Sequence, residues 1–516
     1  MNLASLPLQS AFLTRCPPDA RLTTSGLFLL LAVCATGNLK SQCPDGTPPP
    51  CGARPARAAV APPSNSVAVL YLDNLSRDTA DAILAEGLTE EIIIRLNQVR
   101  RLDVKSPYEV QRFRGQAARD PATLGRALHA AYLVTGSIQR AGDRLRLRYE
   151  VIRARTRAQV ASDVIDRTSS DLLTVESDIA RQVATAVTGQ LLPEERERLS
   201  RPLTSDPDAY EEYLRGLQAL GSSYDEAAQR AALVHFDRAI ARDSSFAAAF
   251  AGEAAGWVWL ADAFVPPREG YGRARIAAAR ALALDSSQAL AYTMLGFAAL
   301  ALDFDAHEAE RLARRGVALD PRGDRGHQFL VEVLFAEGRL DEAIEQGRLA
   351  WQADSLVSAN GVGYGEALIR GHRLDSAAAL VPRLRAVLPP ADADAVEASL
   401  LAARGDLRDV VPLLSWRYYG GLFAGTYVRG LVARGDTAAA KATVDSMLAA
   451  RSSGYYNPVA LAQAYAALGD IDRGIEWLGR AFDERTEFLT EVRLDDGYAP
   501  LRADPRYAAL DRQLRY

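Results

Sequence analysis

The sequence predicts an α+β amino-terminal domain, a mixed sheet with helices on one face, followed by an all-α array of stacked helical hairpins. Three observations carry that reading. Between residues 132 and 151, apolar and polar residues alternate with period two in two runs on either side of Ala141-Gly142-Asp143. Further on, the turn Ala336-Glu337-Gly338-Arg339-Leu340-Asp341-Glu342-Ala343 keeps returning, with glycines at 338, 371, 405, 435 and 469 spaced by 33, 34, 30 and 34 residues. At the other end of the same unit stand Asp243, Asp285, Asp320 and Asp354, separated by 42, 35 and 34 residues. Self-similarity near 34 residues is the period of a helix–turn–helix solenoid.

A chain of 516 residues is too long for one core, so two or more domains are expected. A net charge of −5 argues against a dedicated nucleic-acid binder, which is usually basic over its domain. All four cysteines (Cys16, Cys34, Cys43 and Cys51) lie in the first tenth of the chain, leaving the folded body free of thiols, and a thiol-free body permits an oxidising compartment.

Residues 1–35 read as a signal peptide or lipoprotein-type leader. Leu27–Ala35 is a nine-residue apolar run preceded by Arg15 and Arg21 and closed by small residues. It is shorter than the roughly 17–25 residues that span a bilayer. Leu31-Ala32-Val33-Cys34 is similar to a bacterial lipoprotein box, which makes Cys34 a lipidation candidate, although Val33 stands where a small residue is expected. Export, to the periplasm or envelope, is the expectation. The alternative is a cytoplasmic chain, because the 26 residues before the run include Asp19. Residues 36–65 form a linker, with seven prolines between Pro44 and Pro63. Proline at that density gives a stiff extended tether. Cys43 and Cys51 could close a small disulfide loop there once exported, and two cysteines alone do not make a structural zinc site.

The first folded domain is expected over 66–190. Val67–Leu72 is a continuous apolar run ended by Asp73-Asn74, a strand buried on both faces. A helix through Ile83, Leu84, Leu88, Ile92, Ile93 and Leu96 follows, then a short strand at Leu102–Val104 and helical turns at Tyr108–Phe113 and Pro121–His129. Two antiparallel strands carry the alternation, Gln159–Ile165 is a third, and Asp171–Val187 is a closing helix with one apolar stripe. Arg144, Arg146 and Arg148 must share a strand face. They are either an anion-binding patch or the solvated side of the sheet, and no interleaved aromatic supports base stacking.

These residues resemble a known family. Val67-Ala68-Val69-Leu70, Asn74-Leu75-Ser76, Ala85-Glu86-Gly87-Leu88-Thr89-Glu90-Glu91-Ile92, Tyr132-Leu133-Val134-Thr135-Gly136-Ser137 and Asp178-Ile179-Ala180 look, in that order, like the TolB-like (FlgO-like) amino-terminal domain. Tyr71, where the family usually has proline, and Arg153–Ala158, which replaces a tight turn, depart from it. The resemblance implies a sensory or assembly role near the envelope and transfers no catalytic residue. It also implies tetratricopeptide repeats downstream.

After a linker at 191–207, residues 208–516 resemble such repeats, which implies a right-handed superhelical solenoid. About eight helical pairs are expected, at 208–242, 246–284, 288–319, 323–353, 357–387, 391–417, 422–450 and 456–484, the sixth spoiled by Pro412, with a short capping helix near Tyr498–Tyr507. Small residues where helices cross (Ala309, Ala343, Gly474) and left-handed glycines at 338, 405, 435 and 469 meet the physical demands of that unit. Pro321 is read as opening the next helix. In tetratricopeptide arrays the first helix of each pair lines the concave face. That rule selects Arg325, Gln328, Glu332 and Phe335 in one repeat and Tyr456 and Gln463 in another as ligand contacts, or else as ordinary exposed helix faces.

No constellation for chemistry emerges. The five histidines are scattered, and there is no phosphate-binding Gly-Lys loop or nucleophile elbow. Gly361-Val362-Gly363-Tyr364-Gly365 has glycines like a dinucleotide loop but no preceding strand, and Asp495-Asp496-Gly497 reads as a turn with calcium a remote option. The expectation is therefore a non-enzymatic envelope scaffold that needs no cofactor or metal. Its curved surface binds a protein or peptide and no nucleic acid, and its amino terminus offers a membrane tether. The alternative is a signalling regulator whose α+β domain senses a nucleotide or other small molecule.

Overall fold

The computed structural model describes residues 61–516, apart from 77–79, 117–118, 143, 169–174, 201, 223–224, 262 and 515–516. The leader, most of the Pro-rich linker, and with them Cys34, Cys43 and Cys51, lie outside the described residues. Strands β1 (Ser66–Val69), β2 (Asp73–Asn74), β3 (Asp103–Val104), β4 (Tyr132–Ala141), β5 (Arg144–Arg153) and β6 (Ala158–Thr168) form one mixed sheet in the order β3-β1-β4-β5-β6, with β2 also on β4. β1 lies between two parallel partners, which is why Val67, Ala68 and Val69 are all fully buried and show no alternation. Asp73-Asn74 pairs with Ser137-Ile138 and so prolongs the sheet rather than ending it. β4, β5 and β6 are antiparallel, and on β5 Leu145, Leu147, Tyr149 and Val151 point inward while Arg144, Arg146 and Arg148 are exposed. Arg146 is ion-paired at 2.7 Å with Asp166 on the neighbouring strand, so this part of the arginine row is matched within the sheet.

Helix α1 (Ala80–Asn97) packs against α4 (Val175–Thr188), while the one- to two-turn helices α2 (Pro107–Gln111) and α3 (Pro121–Ala127) fill the connection before β4. α2 starts with a capping box, Ser106 accepting from the Glu109 amide and the Glu109 carboxylate accepting from the Ser106 amide. The segment read as a linker, 191–207, contains helix α5 (Pro193–Ser200), whose Leu199 is fully buried. The α+β layer and the array consequently join without a free tether, and residues 61–516 form one compact unit.

Two contacts make that join. Gly87 on α1 lets the first helix of the array, α6 (Pro207–Ser222), approach so closely that an added Cβ would stand 2.9 Å from Leu214. Behind it Arg95, 2% exposed, reaches Glu91 and Glu176 at 3.2 Å each and the Leu199 carbonyl at 3.4 Å, tying α1, α4 and α5 together. Burial pushes the Glu176 carboxyl up to about 8, with Arg95 opposing the shift, so near neutral pH the cluster holds a proton.

The rest of the chain is a series of helical hairpins. They are α6 with α7 (Glu226–Arg242), α8 (Ala247–Leu260) with α9 (Pro267–Leu284), and α10 (Ala289–Ala298) with α11 (Ala306–Leu319). Next come α12 (Asp324–Ala336) with α13 (Leu340–Ala353) and α14 (Ser358–Arg370) with α15 (Leu374–Arg385). In the sixth unit α16 (Pro390–Arg404) is followed only by 3₁₀ turns at Leu407–Val410 and Tyr418–Gly421, the spoiled second helix that Pro412 predicts. α17 (Ala424–Ala433) with α18 (Thr437–Ser453) and α19 (Pro458–Ala467) with α20 (Ile471–Glu484) complete the series.

Gly338, Gly405, Gly435 and Gly469 have φ between 70° and 87°, and at the last two the following aspartate caps the next helix. The looser copy at Gly371 differs: its φ is −80°, and His372 takes the left-handed conformation. Pro321 lies in the turn before α12 rather than at its first residue. The tail is four short turns, not one helix: α21 (Leu489–Leu494), a 3₁₀ turn at Asp496–Tyr498, α22 (Ala499–Arg502) and α23 (Tyr507–Asp511).

The array also meets itself. A π-turn at Ala299–Asp303 ends α10, Phe304 follows at φ 54°, and its ring packs edge-on against Phe482 of α20 at 5.8 Å. Arg485 covers the same ring at 4.2 Å. Among the described residues no helix is long and apolar enough to cross a membrane.

Candidate functional site

Because first helices face inward and the eighth hairpin returns to the third, the concave surface is wrapped around a cavity of about 1760 Å³. Its walls come from α8 (Trp259), α10 (Met294, Phe297), α12 and α14, with α1 contributing Glu86, Glu90 and Ile94 from the α+β domain. The tail enters too: Glu487 and Phe488, just ahead of α21, and Glu491 within it line the same space. The curved surface expected from the repeats is present, and it forms a deep, partly open chamber.

Four of the six predicted contact residues reach this cavity. Arg325, Gln328, Glu332 and Phe335 recur along one face of α12 and line it together. Arg325 lies 5.1 Å from the Trp259 ring and 3.8 Å from the Asp324 carboxylate. The other two do not line it. Tyr456 is buried, its hydroxyl donating to the Trp416 carbonyl at 3.0 Å. Gln463 is buried and donates from Nε2 to Asp495 at 2.8 Å. For Gln463 the reason is the tail, which folds back over α19; Tyr456, just ahead of α19, is taken instead by the Trp416–Gly421 segment of the sixth unit. Asp495 also accepts from the Gly497 amide, so Asp495-Asp496-Gly497 is the turn that holds Gln463.

Sequence reasoning missed the charged centre of the site. On α14, Glu366 and Arg370 stand one turn apart at 3.5 Å, and Arg370 donates from Nη2 to Glu491 of α21 at 2.8 Å. The Arg370 guanidinium lies 4.6 Å over the Phe335 ring. Its Nη1 is buried without an acceptor among the described residues. Glu332 faces the same guanidinium, and among the described residues it accepts no hydrogen bond. Burial pushes the Glu332 carboxyl up to about 7, Arg370 pulling it down and Glu491 and Glu366 adding to the rise. Burial raises Glu366 and Glu491 as well. Applying the first-helix rule to the fifth hairpin would have found Glu366 and Arg370; nothing local in the sequence announces Glu491.

On the α1 side, Glu90 accepts from the Tyr71 hydroxyl at 3.0 Å and is pushed up to about 7, mainly by burial and next by Glu86. Asp354 on the opposite wall is pushed up to about 6 by burial and then by Asp324. Gly361–Gly365, the glycine-rich stretch, sits inside α14, where Gly361 and Gly365 admit Leu388 and Val396. Among the described residues no group of three or more His, Cys, Asp or Glu side chains is placed to hold a metal.

No family model matches the chain. A curated protein of Rhizobium meliloti (strain 1021), named "Putative adenylate cyclase 3", is 31% identical over 173 residues, 34% of this chain and 29% of its own length. The chain thus spans under a third of that relative. Among solved structures it is similar to a tetratricopeptide protein of Thermus thermophilus (18% identity, 38% of this chain and 98% of that one, TM-score 0.31). It is also similar to pilF of Pseudomonas aeruginosa (17% identity, 51% and 99%, TM-score 0.28) and to a chain of the APC/C Cut9–Hcn1 hetero-tetramer (12%, 67% and 75%, TM-score 0.34). At these scores the repeat assignment rests on the chain's own hairpins and their period.

Proposed function

We propose that this chain is a non-enzymatic protein–protein interaction scaffold of the bacterial cell envelope, taking a peptide or protein segment into the cavity enclosed by its repeats. The observation that carries the reading is the cavity itself. Side chains from the first helices of successive hairpins and from α1 converge on one space of about 1760 Å³. Pockets for small ligands run to about 300–1,000 Å³, so this volume suits a chain segment better than a metabolite. The apolar leader and the TolB-like resemblance of the first domain support the envelope location.

The test places a photoreactive amino acid at Gln328, inside, and at Val234, exposed on α7. Adducts with peptide or protein at 328 and none at 234 are expected. Equal labelling at both, or none at 328, refutes the reading. Cell fractionation with the intact mass of the mature amino terminus tests the location, and a cytoplasmic full-length mass would reject it.

A second reading is favoured by the wall that α1 supplies. A regulator whose α+β domain senses a nucleotide or other small molecule could pass the signal to the repeats through Glu86 and Glu90. A stretch similar to part of this chain occurs in a protein named as an adenylate cyclase, which suits that reading. A nucleotide that raises the melting temperature of the whole chain would favour it over the scaffold.

A further inference from the structure

Resting on the reading of the cavity as a peptide site, we infer that its occupant is a cationic segment, one whose lysine or arginine side chain docks against Glu332 beside Arg370. The first argument is charge. Among the described lining residues carboxylates outnumber guanidiniums fourteen to seven, with no lysine or histidine on the walls. A cleft with low-dielectric walls concentrates that field and draws counter-ions of opposite sign.

The second argument is local and independent of the total. Around Arg370 stand three carboxylates, of which Glu491 and Glu366 are in ion-pair contact at 2.8 and 3.5 Å. Glu332 is left over, on the cavity wall, with no hydrogen bond among the described residues. A carboxylate in partly buried surroundings without a donor is costly, and an ammonium or guanidinium supplied from outside removes that cost.

The third argument is what the walls already hold. Two of the chain's own guanidiniums lie on aromatic faces that line the cavity, Arg325 over Trp259 at 5.1 Å and Arg370 over Phe335 at 4.6 Å. These walls thus already hold guanidiniums on π-faces, and the group they leave for an incoming cation is the Glu332 oxygen.

The experiment uses the full chain and three fluorescein-labelled twelve-residue peptides of one Ala/Gly/Phe sequence, carrying three lysines, three glutamines or three glutamates. Anisotropy gives affinity, and photo-cross-linking from position 328 gives location. The lysine peptide is expected to bind at least tenfold more tightly than the other two and to cross-link at 328. Glu332→Gln should weaken it roughly tenfold without lowering the melting temperature, and Glu90→Gln on the opposite wall should weaken it less. If the glutamine or glutamate peptide binds as well and cross-links at 328, the cation assignment falls while peptide capture stands. If none of the three cross-links at 328, both fall. An unchanged affinity in Glu332→Gln overturns the docking residue by itself.

Discussion

Replacing Arg95 by methionine removes the charge that reconciles two buried carboxylates while keeping most of the side chain's apolar stem. The side chains of Arg95, Glu91 and Glu176 are 2%, 4% and 1% exposed. In the native cluster burial pushes Glu176 up to about 8 and raises Glu91 as well, with Arg95 opposing both shifts. Without Arg95, Glu91 must take up a proton to stay buried. Its ordinary value is 4.5, so the unfolded chain ionises freely at pH 7.5 and the folded one does not.

Three pH units at about 1.4 kcal/mol each set an upper bound of about 4 kcal/mol on the penalty, against about 3–5 kcal/mol found when a buried pair loses one partner. At pH 5.5 one unit remains, and the bound falls to about 1.4 kcal/mol. Denaturant unfolding of the wild type and Arg95→Met at both pH values gives the difference directly. A penalty that is equal at pH 5.5 and 7.5, or below about 1 kcal/mol at pH 7.5, would refute the account of this cluster.

Other perturbations have equally definite outcomes. Glu90 and Glu332, at about 7, and Asp354, at about 6, all bind protons more tightly folded than unfolded. Their contribution is whole below the ordinary carboxyl range near pH 4 and drains as pH rises through 6 to 7; each group should lower the unfolding free energy by on the order of 1–3 kcal/mol between pH 5 and 8, as denaturant titrations of the wild type and of the single Gln or Asn variants would show. Ala343→Arg, at a fully buried helix crossing, should cost roughly 1–3 kcal/mol or more, and an unchanged melting temperature would contradict the repeat register. Gly469→Ala puts a Cβ on a residue with φ 79° and should cost about 1–2 kcal/mol by the same assay, whereas Gly371→Ala escapes that backbone penalty because its φ is −80°. Phe304→Ala empties the contact between the third and eighth hairpins; a loss of about 3–5 kcal/mol in unfolding free energy is expected, with faster hydrogen exchange in α20.

The elements were legible because each depends on neighbours close in sequence. Period-two alternation marked β4 and β5, the Gly-Asp turns marked hairpin centres, and Pro412 marked the missing helix of the sixth unit. Where a local rule was read too simply the structure differs in a physical way, as at residues 371 and 372, where a turn needing one left-handed residue took it from His372. The site was half legible. Arg325, Gln328, Glu332 and Phe335 follow from helical spacing on α12, since residues three and four apart share a face. Tyr456 and Gln463 obey the same spacing, yet the Trp416–Gly421 segment covers one and the tail the other, and Arg370 meets Glu491 across 121 residues. Tail return and superhelical closure are long-range events that no window of sequence contains.

One consequence follows from the seam between Gly87 and Leu214. A stack of hairpins has two raw ends, and each needs a lid. Here the carboxy-terminal lid is the string of short turns after Glu484, while the amino-terminal one is the α+β layer itself, pressed against Tyr210, Tyr213 and Leu214. Cutting the chain near residue 205 to isolate the repeats would bare those side chains and strip Glu86 and Glu90 from the cavity wall. A fragment intended to keep the binding chamber whole should begin ahead of Ser66.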